Sequence, residues 1–169
     1  MDEKRFLTAR QLLLNLLAAY GLSWLWSMIA LNLFRDWLIA ADGVIIELPP
    51  GPHLSAVPSL MDLVVWAPIT EEALFRLLPL TLILINRRLL AENFRRVTWI
   101  ALIVVCGCLF GLAHGSLPHI LVQGVGGLIL GLLFLANCKT PLHAYLSCVA
   151  CHSLFNLTVV LAGMAFGHR

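Results

Sequence analysis

Glu71 and Glu72 stand side by side inside an apolar run, Ala67-Pro68-Ile69-Thr70-Glu71-Glu72-Ala73-Leu74-Phe75-Arg76, and two later apolar runs each carry a histidine, His114 and His152. An ionisable group at membrane depth costs about 2.5 to 3.5 kcal/mol even on the lenient insertion scales. Acids and bases on three such segments therefore point to an acid/base constellation assembled inside a helical bundle. At about 100° per residue, Glu72 and Arg76 share a helix face while Glu71 points roughly a quarter turn away. The expected division of labour is that Glu72 pairs with Arg76, which lowers the cost of burying both, and Glu71 is left to project toward another helix. The competing reading is a buried ion-pair network that only fixes helix packing.

Phe110 and His114 lie four apart at the end of the next apolar run. A neutral imidazole beside a carboxylate can hold a water and take its proton, as general-base hydrolysis requires. His152 and Asn156, also four apart, share one face of the last run. Two hydrogen-bond donors stacked a turn apart in a dry site can stabilise an oxyanion; alternatively, they are polar glue between helices.

These residues need elements to hold them, and composition says which. The 169 residues are 60% hydrophobic and only 12% charged, with mean hydropathy +0.92, against about 25% charged in soluble domains. The chain is expected to be an all-α, polytopic membrane helical bundle forming one domain over residues 1–169. A net charge of +2 without a basic run argues against a nucleic-acid partner. Windows of about 20 residues or more fall at Leu12 to Phe34, Pro58 to Asn86, Val97 to Gly115, His119 to Asn137 and Leu142 to Phe166, which makes about five transmembrane helices. The first window follows Lys4, Arg5 and Arg10 as a signal peptide would, but it is too long for one and is read as a retained span. Arg35 to Ser59 contains Leu48-Pro49-Pro50-Gly51-Pro52 and is expected to be a loop, with a short interfacial helix near Trp37.

Basic residues precede the first window (Lys4, Arg5, Arg10), separate the second from the third (Arg87, Arg88, Arg95, Arg96) and separate the fourth from the fifth (Lys139). The positive-inside rule then puts the N-terminus in the cytoplasm and the C-terminus outside, with the acidic loop bearing Asp36, Asp42 and Glu47 facing outward. Gly127 and Gly131 form a small-xxx-small spacing suited to close helix packing. Cys106, Cys108, Cys138, Cys148 and Cys151 are odd in number and sit in or at the end of apolar runs, so a disulfide framework is not expected.

Together, Glu71-Glu72-x-x-x-Arg76, Phe110-x-x-x-His114 and His152-x-x-x-Asn156 resemble the three motifs of the CAAX protease and bacteriocin-processing family (CPBP, also called ABI) of intramembrane proteases. The similarity covers roughly Pro58 to Phe166. It implies an intramembrane endopeptidase in which Glu71 and His114 activate water, His152 and Asn156 form the oxyanion hole, and Glu72, Arg76 and Phe110 support them. It also implies a bacterial inner-membrane setting and a membrane-embedded or lipid-anchored substrate: a bacteriocin-like peptide, a prenylated tail or a C-terminal sorting helix. Leu77 follows the arginine where the family often has glycine, and about five spans are fewer than eukaryotic prenyl proteases have, which favours a bacterial membrane protein or peptide over a CAAX tail.

Three other readings stand beside this one. Zinc held by Glu71, His114 and His152 would make the enzyme a metalloprotease, although no His-Glu-x-x-His run is present and the metal-free mechanism needs no cofactor. Cys148-Val149-Ala150-Cys151-His152 matches the pattern of covalent haem attachment, though deep in an apolar run. A non-catalytic immunity or binding protein could keep the same fold.

Overall fold

Apolar runs of this length must satisfy their own backbone groups in a lipid environment, and a helix does so within one segment. The computed structural model describes residues 8–42, 60–86, 92–115 and 117–166, which form five helices with no strand among the described residues. They are α1 (Ala9–Asp42), α2 (60–86), α3 (Glu92–Ala113), α4 (Ile120–Ala136) and α5 (Pro141–Phe166). Thr8 and Gln11 cap α1 reciprocally, the threonine hydroxyl accepting from the Gln11 amide at 3.2 Å and Gln11 Oε1 from the Thr8 amide at 2.9 Å. Thr140 opens α5 by accepting from the His143 amide at 3.1 Å.

The expected loop does not begin at Arg35. α1 continues through Trp37 to Asp42 without interruption, because no proline or glycine occurs between Arg35 and Asp42. Its length of about 50 Å, at 1.5 Å per residue, exceeds a hydrocarbon core of about 30 Å. Glu47, the proline run at Leu48 to Pro52, and Lys4, Arg5, Arg87 and Arg88 lie outside the described residues.

α2 is not a uniform helix. Its α-helical part Ala67–Glu72, which carries both glutamates, is flanked by π-helical turns at Asp62–Trp66 and Ala73–Leu77. Each wide turn leads into a proline, Pro68 or Pro79. Proline has no N–H to give to the preceding turn and its ring crowds the carbonyl four residues back, so the turn opens to i→i+5 bonding: Ala67 N–H bonds the Asp62 carbonyl and Leu78 N–H that of Ala73.

α1 packs on α4 and α5, α4 packs on α3 and α5, and α2 packs on α3 and α5. Glycines let α3 and α4 close up: a Cβ on Gly111 would stand 2.6 Å from Ile120 Cα, and one on Gly131 3.0 Å from Ile103 Cγ2. Leu80, Ile103, Leu133, Phe134 and Cys148 fill the core. The polarity is inverted relative to a soluble domain: Leu33, Ile100, Leu132 and Leu161 are exposed, while Glu72, Arg76, Asn137 and His152 are buried. Ala9–Trp37 and Pro141–Ala165 are long and apolar enough to cross a membrane, with shorter apolar helices at Val97–Ala113 and Ile120–Ala136. The sequence expectation of an all-α bundle therefore holds.

Candidate active site

Arg76 sits at the centre of the buried network. Its Nη1 donates to Glu72 Oε1 at 3.1 Å and its Nη2 to the Gly127 carbonyl at 3.1 Å, while its guanidinium lies 4.4 Å from the Phe110 ring centroid. Both charges are essentially without solvent exposure, 1% for Arg76 and 0% for Glu72. A cation removed from water gains more from an aromatic face than an exposed one does, about 2 kcal/mol or more. Phe110 also meets the rings of His114 and His152, at centroid distances of 4.5 and 5.8 Å, so one aromatic side chain braces the cation and both imidazoles.

Gly127 has a part that its spacing did not reveal. A Cβ there would stand 2.9 Å from Arg76 Nη2 and 3.2 Å from Gly107 Cα. The absent side chain is what brings its carbonyl to the arginine.

His152 Nδ1 lies 2.9 Å from Glu72 Oε1. A carboxylate only accepts, so Nδ1 carries the proton and Nε2 is turned the other way. His114 Nδ1 lies 2.8 Å from the Phe110 carbonyl and by the same argument donates there. α3 ends tightly beneath it, with His114 and Gly115 amides bonding the Gly111 and Leu112 carbonyls and Gly115 at φ +147°, a conformation that glycine adopts freely.

Glu71 is where these two imidazoles meet. Its Oε2 is 3.8 Å from His114 Nε2 and 3.8 Å from His152 Nε2, too far for a hydrogen bond, and is buried without a partner among the described residues. A single water at about 2.8 Å can bond Oε2 and an imidazole nitrogen together across such a gap.

Asn156 has a structural tie. Its Nδ2 donates to the Leu63 carbonyl at 2.8 Å. That carbonyl lost its own partner to the π turn: Ala67 N–H is taken by Asp62, and the next residue is Pro68, which has no N–H. One N–H of the Asn156 amide remains. Tyr145 makes a second link from α5 to α2, donating to the Ile69 carbonyl at 3.0 Å.

Glu71, Phe110, His114, His152 and Asn156 all line one cavity of about 310 Å³, so the structure brings together residues the sequence had placed on three segments. Glu72 and Arg76 stand behind it as the buried pair. Sequence reasoning missed Ser23, Ser27 and Gln123, which line the same cavity from α1 and α4. A glutamine in an apolar run was the available signal.

Zinc was an alternative for Glu71, His114 and His152. Both histidines do have the Nδ1–H anchor that metal-ligating imidazoles use. The donor separations of 3.8 Å nevertheless exceed the roughly 3.3 Å set by tetrahedral zinc with bonds of about 2.0 to 2.1 Å, and no group of three or more His, Cys, Asp or Glu among the described residues is arranged to hold a metal. As placed, these residues do not fit the ion. For haem, Cys148 is fully buried with its thiol on the Leu130 carbonyl at 3.3 Å, and Cys151 is 1% exposed. Neither thiol is presented for covalent attachment.

The pattern of the Rce1-like family, described as type II CAAX prenyl endopeptidase Rce1-like, matches residues 53–158. That is more than half of the chain, and it takes in all three motifs; the chain belongs to this family of peptidases. Neither the curated proteins nor the solved structures compared with the chain gave a match. Family and apolar helices together make it an integral membrane protein.

Proposed function

We propose that this chain is a metal-free, glutamic-type intramembrane endopeptidase. The observation that carries the reading is the convergence of His114 Nε2 and His152 Nε2 on Glu71 Oε2, each at 3.8 Å, at the wall of a cavity. Glu71 and His114 hold the attacking water. As its oxygen bonds to the peptide carbonyl carbon, Glu71 takes one proton, and the carbonyl π electrons move onto oxygen. His152 and the remaining N–H of Asn156 face that oxyanion. In this reading His152 donates from Nε2 in its doubly protonated form, its Nδ1–H remaining on Glu72. Collapse of the intermediate breaks the C–N bond, and the proton held by Glu71 goes to the leaving amine.

Phe110 and the Glu72–Arg76 pair act through position: they fix the ring planes of the two imidazoles. The substrate is proposed to be a membrane-embedded or lipid-anchored protein or peptide. The enzyme is proposed to sit in a bacterial inner membrane with its N-terminus cytoplasmic, which puts His114 toward the outer side.

The reading is tested with purified chain in detergent and two internally quenched peptides, one farnesylated and ending in a CAAX sequence, the other an apolar helix of about 20 residues. Cleavage of at least one by the parent chain supports the endopeptidase. Cleavage of neither by a well-folded preparation counts against it and in favour of the non-catalytic binding protein.

A further inference from the structure

A peptide bond cannot reach Glu71 while it is inside a substrate helix, because its carbonyl is hydrogen-bonded and its carbon shielded. The few residues around the cleaved bond must be extended in the cavity. Extension frees their N–H and C=O groups in a place lined mainly by apolar side chains, and those groups need new partners.

The catalytic residues cannot supply them all. Glu72 and Arg76 bond each other, His114 and His152 have one nitrogen each committed, and Asn156 has given an N–H to Leu63. The other polar side chains on the cavity wall are Gln123 on α4 and Ser23 and Ser27 on α1. Gln123 Oε1 is buried with no hydrogen-bond partner among the described residues. Polar groups that act as glue between these helices behave otherwise: Asn15 donates to Asn137 at 2.8 Å, and Trp24 to Thr158 at 3.2 Å.

Local structure holds the three in place. Gln123 belongs to the π-helical turn Ile120–Gly124, and Trp26, between the two serines in sequence, donates its indole N–H to the Leu121 carbonyl of that turn at 2.8 Å. The bond ties the serine-bearing part of α1 to the turn that carries the glutamine. A wide turn exposes carbonyls that a regular helix would use, which is why the indole finds an acceptor there.

We infer that Gln123, with Ser23 and Ser27, is a main-chain docking strip that pairs with an extended substrate segment and sets it against Glu71. The inference rests on the endopeptidase reading and deepens it: the site takes a peptide backbone, not a lipid group alone. A carboxamide suits the task, since it presents one acceptor and two donors and can match a peptide N–H and C=O together. Ser23 and Ser27, on α1, lie outside the residues matched to the family.

The test uses the full chain in detergent and the two peptides above. Affinity is read in the Glu71→Gln chain, by fluorescence anisotropy of labelled versions, and turnover is read with Glu71 intact. Gln123→Met keeps side-chain length and removes both amide functions; Kd and KM for the cleaved peptide should rise roughly 5- to 10-fold, the size of one or two lost hydrogen bonds, with kcat changed less than about twofold. An ester in place of a flanking substrate amide should weaken binding to the parent by a similar factor and to Gln123→Met by no more. Ser23→Ala combined with Ser27→Ala should raise KM in the same direction. Unchanged Kd and KM in Gln123→Met overturn the proposal, as do an additive ester loss and the binding of neither peptide. If Gln123→Met does not fold, Gln123→Asn, which shortens the amide, carries the test, and an unchanged Kd there overturns it. Normal turnover by Glu71→Gln alongside a raised KM in Gln123→Met would sink the catalytic assignment and leave the docking strip standing.

Discussion

Glu72 Oε1 receives two donors at once, His152 Nδ1 at 2.9 Å and Arg76 Nη1 at 3.1 Å. One oxygen thus neutralises a buried cation and fixes the tautomer of an imidazole 80 residues away in sequence. The neighbouring glutamate is left facing the cavity. Two adjacent acids acquire different tasks from the helix angle between them and from what packs on each.

Glu72→Gln should therefore lower stability. The substitution strands Arg76 as a buried charge without its counter-ion, a loss of roughly 3 to 5 kcal/mol, and weakens the hold on His152. A reduced melting temperature and poor yield are expected. A melting temperature equal to that of the parent would show that Gly127 and Phe110 suffice for the arginine.

Chelation should not stop the reaction. Prolonged treatment of the purified chain should leave turnover intact, and elemental analysis should find well under one zinc per chain. Stoichiometric zinc, with activity lost on removal and restored on return, would establish a metalloprotease instead.

The glycines of α3 and α4 separate fold from function. Gly111→Ala forces a Cβ to 2.6 Å from Ile120 Cα and 2.7 Å from the His119 carbonyl oxygen. Backbone atoms cannot step aside as a side chain can, so the helices must part and the melting temperature should fall, as overpacking by about 1 to 3 kcal/mol requires. Gly126 lines the cavity with open space where its Cβ would be. Gly126→Leu should fold normally and lose turnover, since the new side chain occupies substrate space; a fully active Gly126→Leu would place the substrate elsewhere.

The proposed orientation predicts opposite labelling at the two ends of α4. After Cys108→Ser and Cys138→Ser, Leu117→Cys should react with an impermeant maleimide in right-side-out vesicles and Lys139→Cys in inverted ones. The reverse pattern would invert the topology and the side from which water reaches the site.

The spacing of four residues made the site legible. Glu72 with Arg76, Phe110 with His114 and His152 with Asn156 each share a helix face, and an ionisable side chain in an apolar run is conspicuous. Hidden from the sequence were the consequences of the prolines. Pro68 could be seen, but the π turn ahead of it, and the Leu63 carbonyl that Asn156 must then satisfy, follow only from which N–H groups remain available. The Gly127 carbonyl on Arg76 and the equal reach of both imidazoles toward Glu71 depend on how the helices rotate against one another. The end of α1 was misplaced because the later prolines drew the loop too far upstream; the residues from Arg35 to Asp42 contain nothing that stops a helix.

Turnover by purified Glu71→Gln tests the central claim most directly. Glutamine keeps the shape of the side chain and deletes the base, so the melting temperature should be that of the parent and kcat should fall by about 10² to 10⁴, the usual worth of a positioned general base. Near-parental turnover by the folded variant would contradict the account, because the oxygen on which both histidines converge would then have no part in the chemistry.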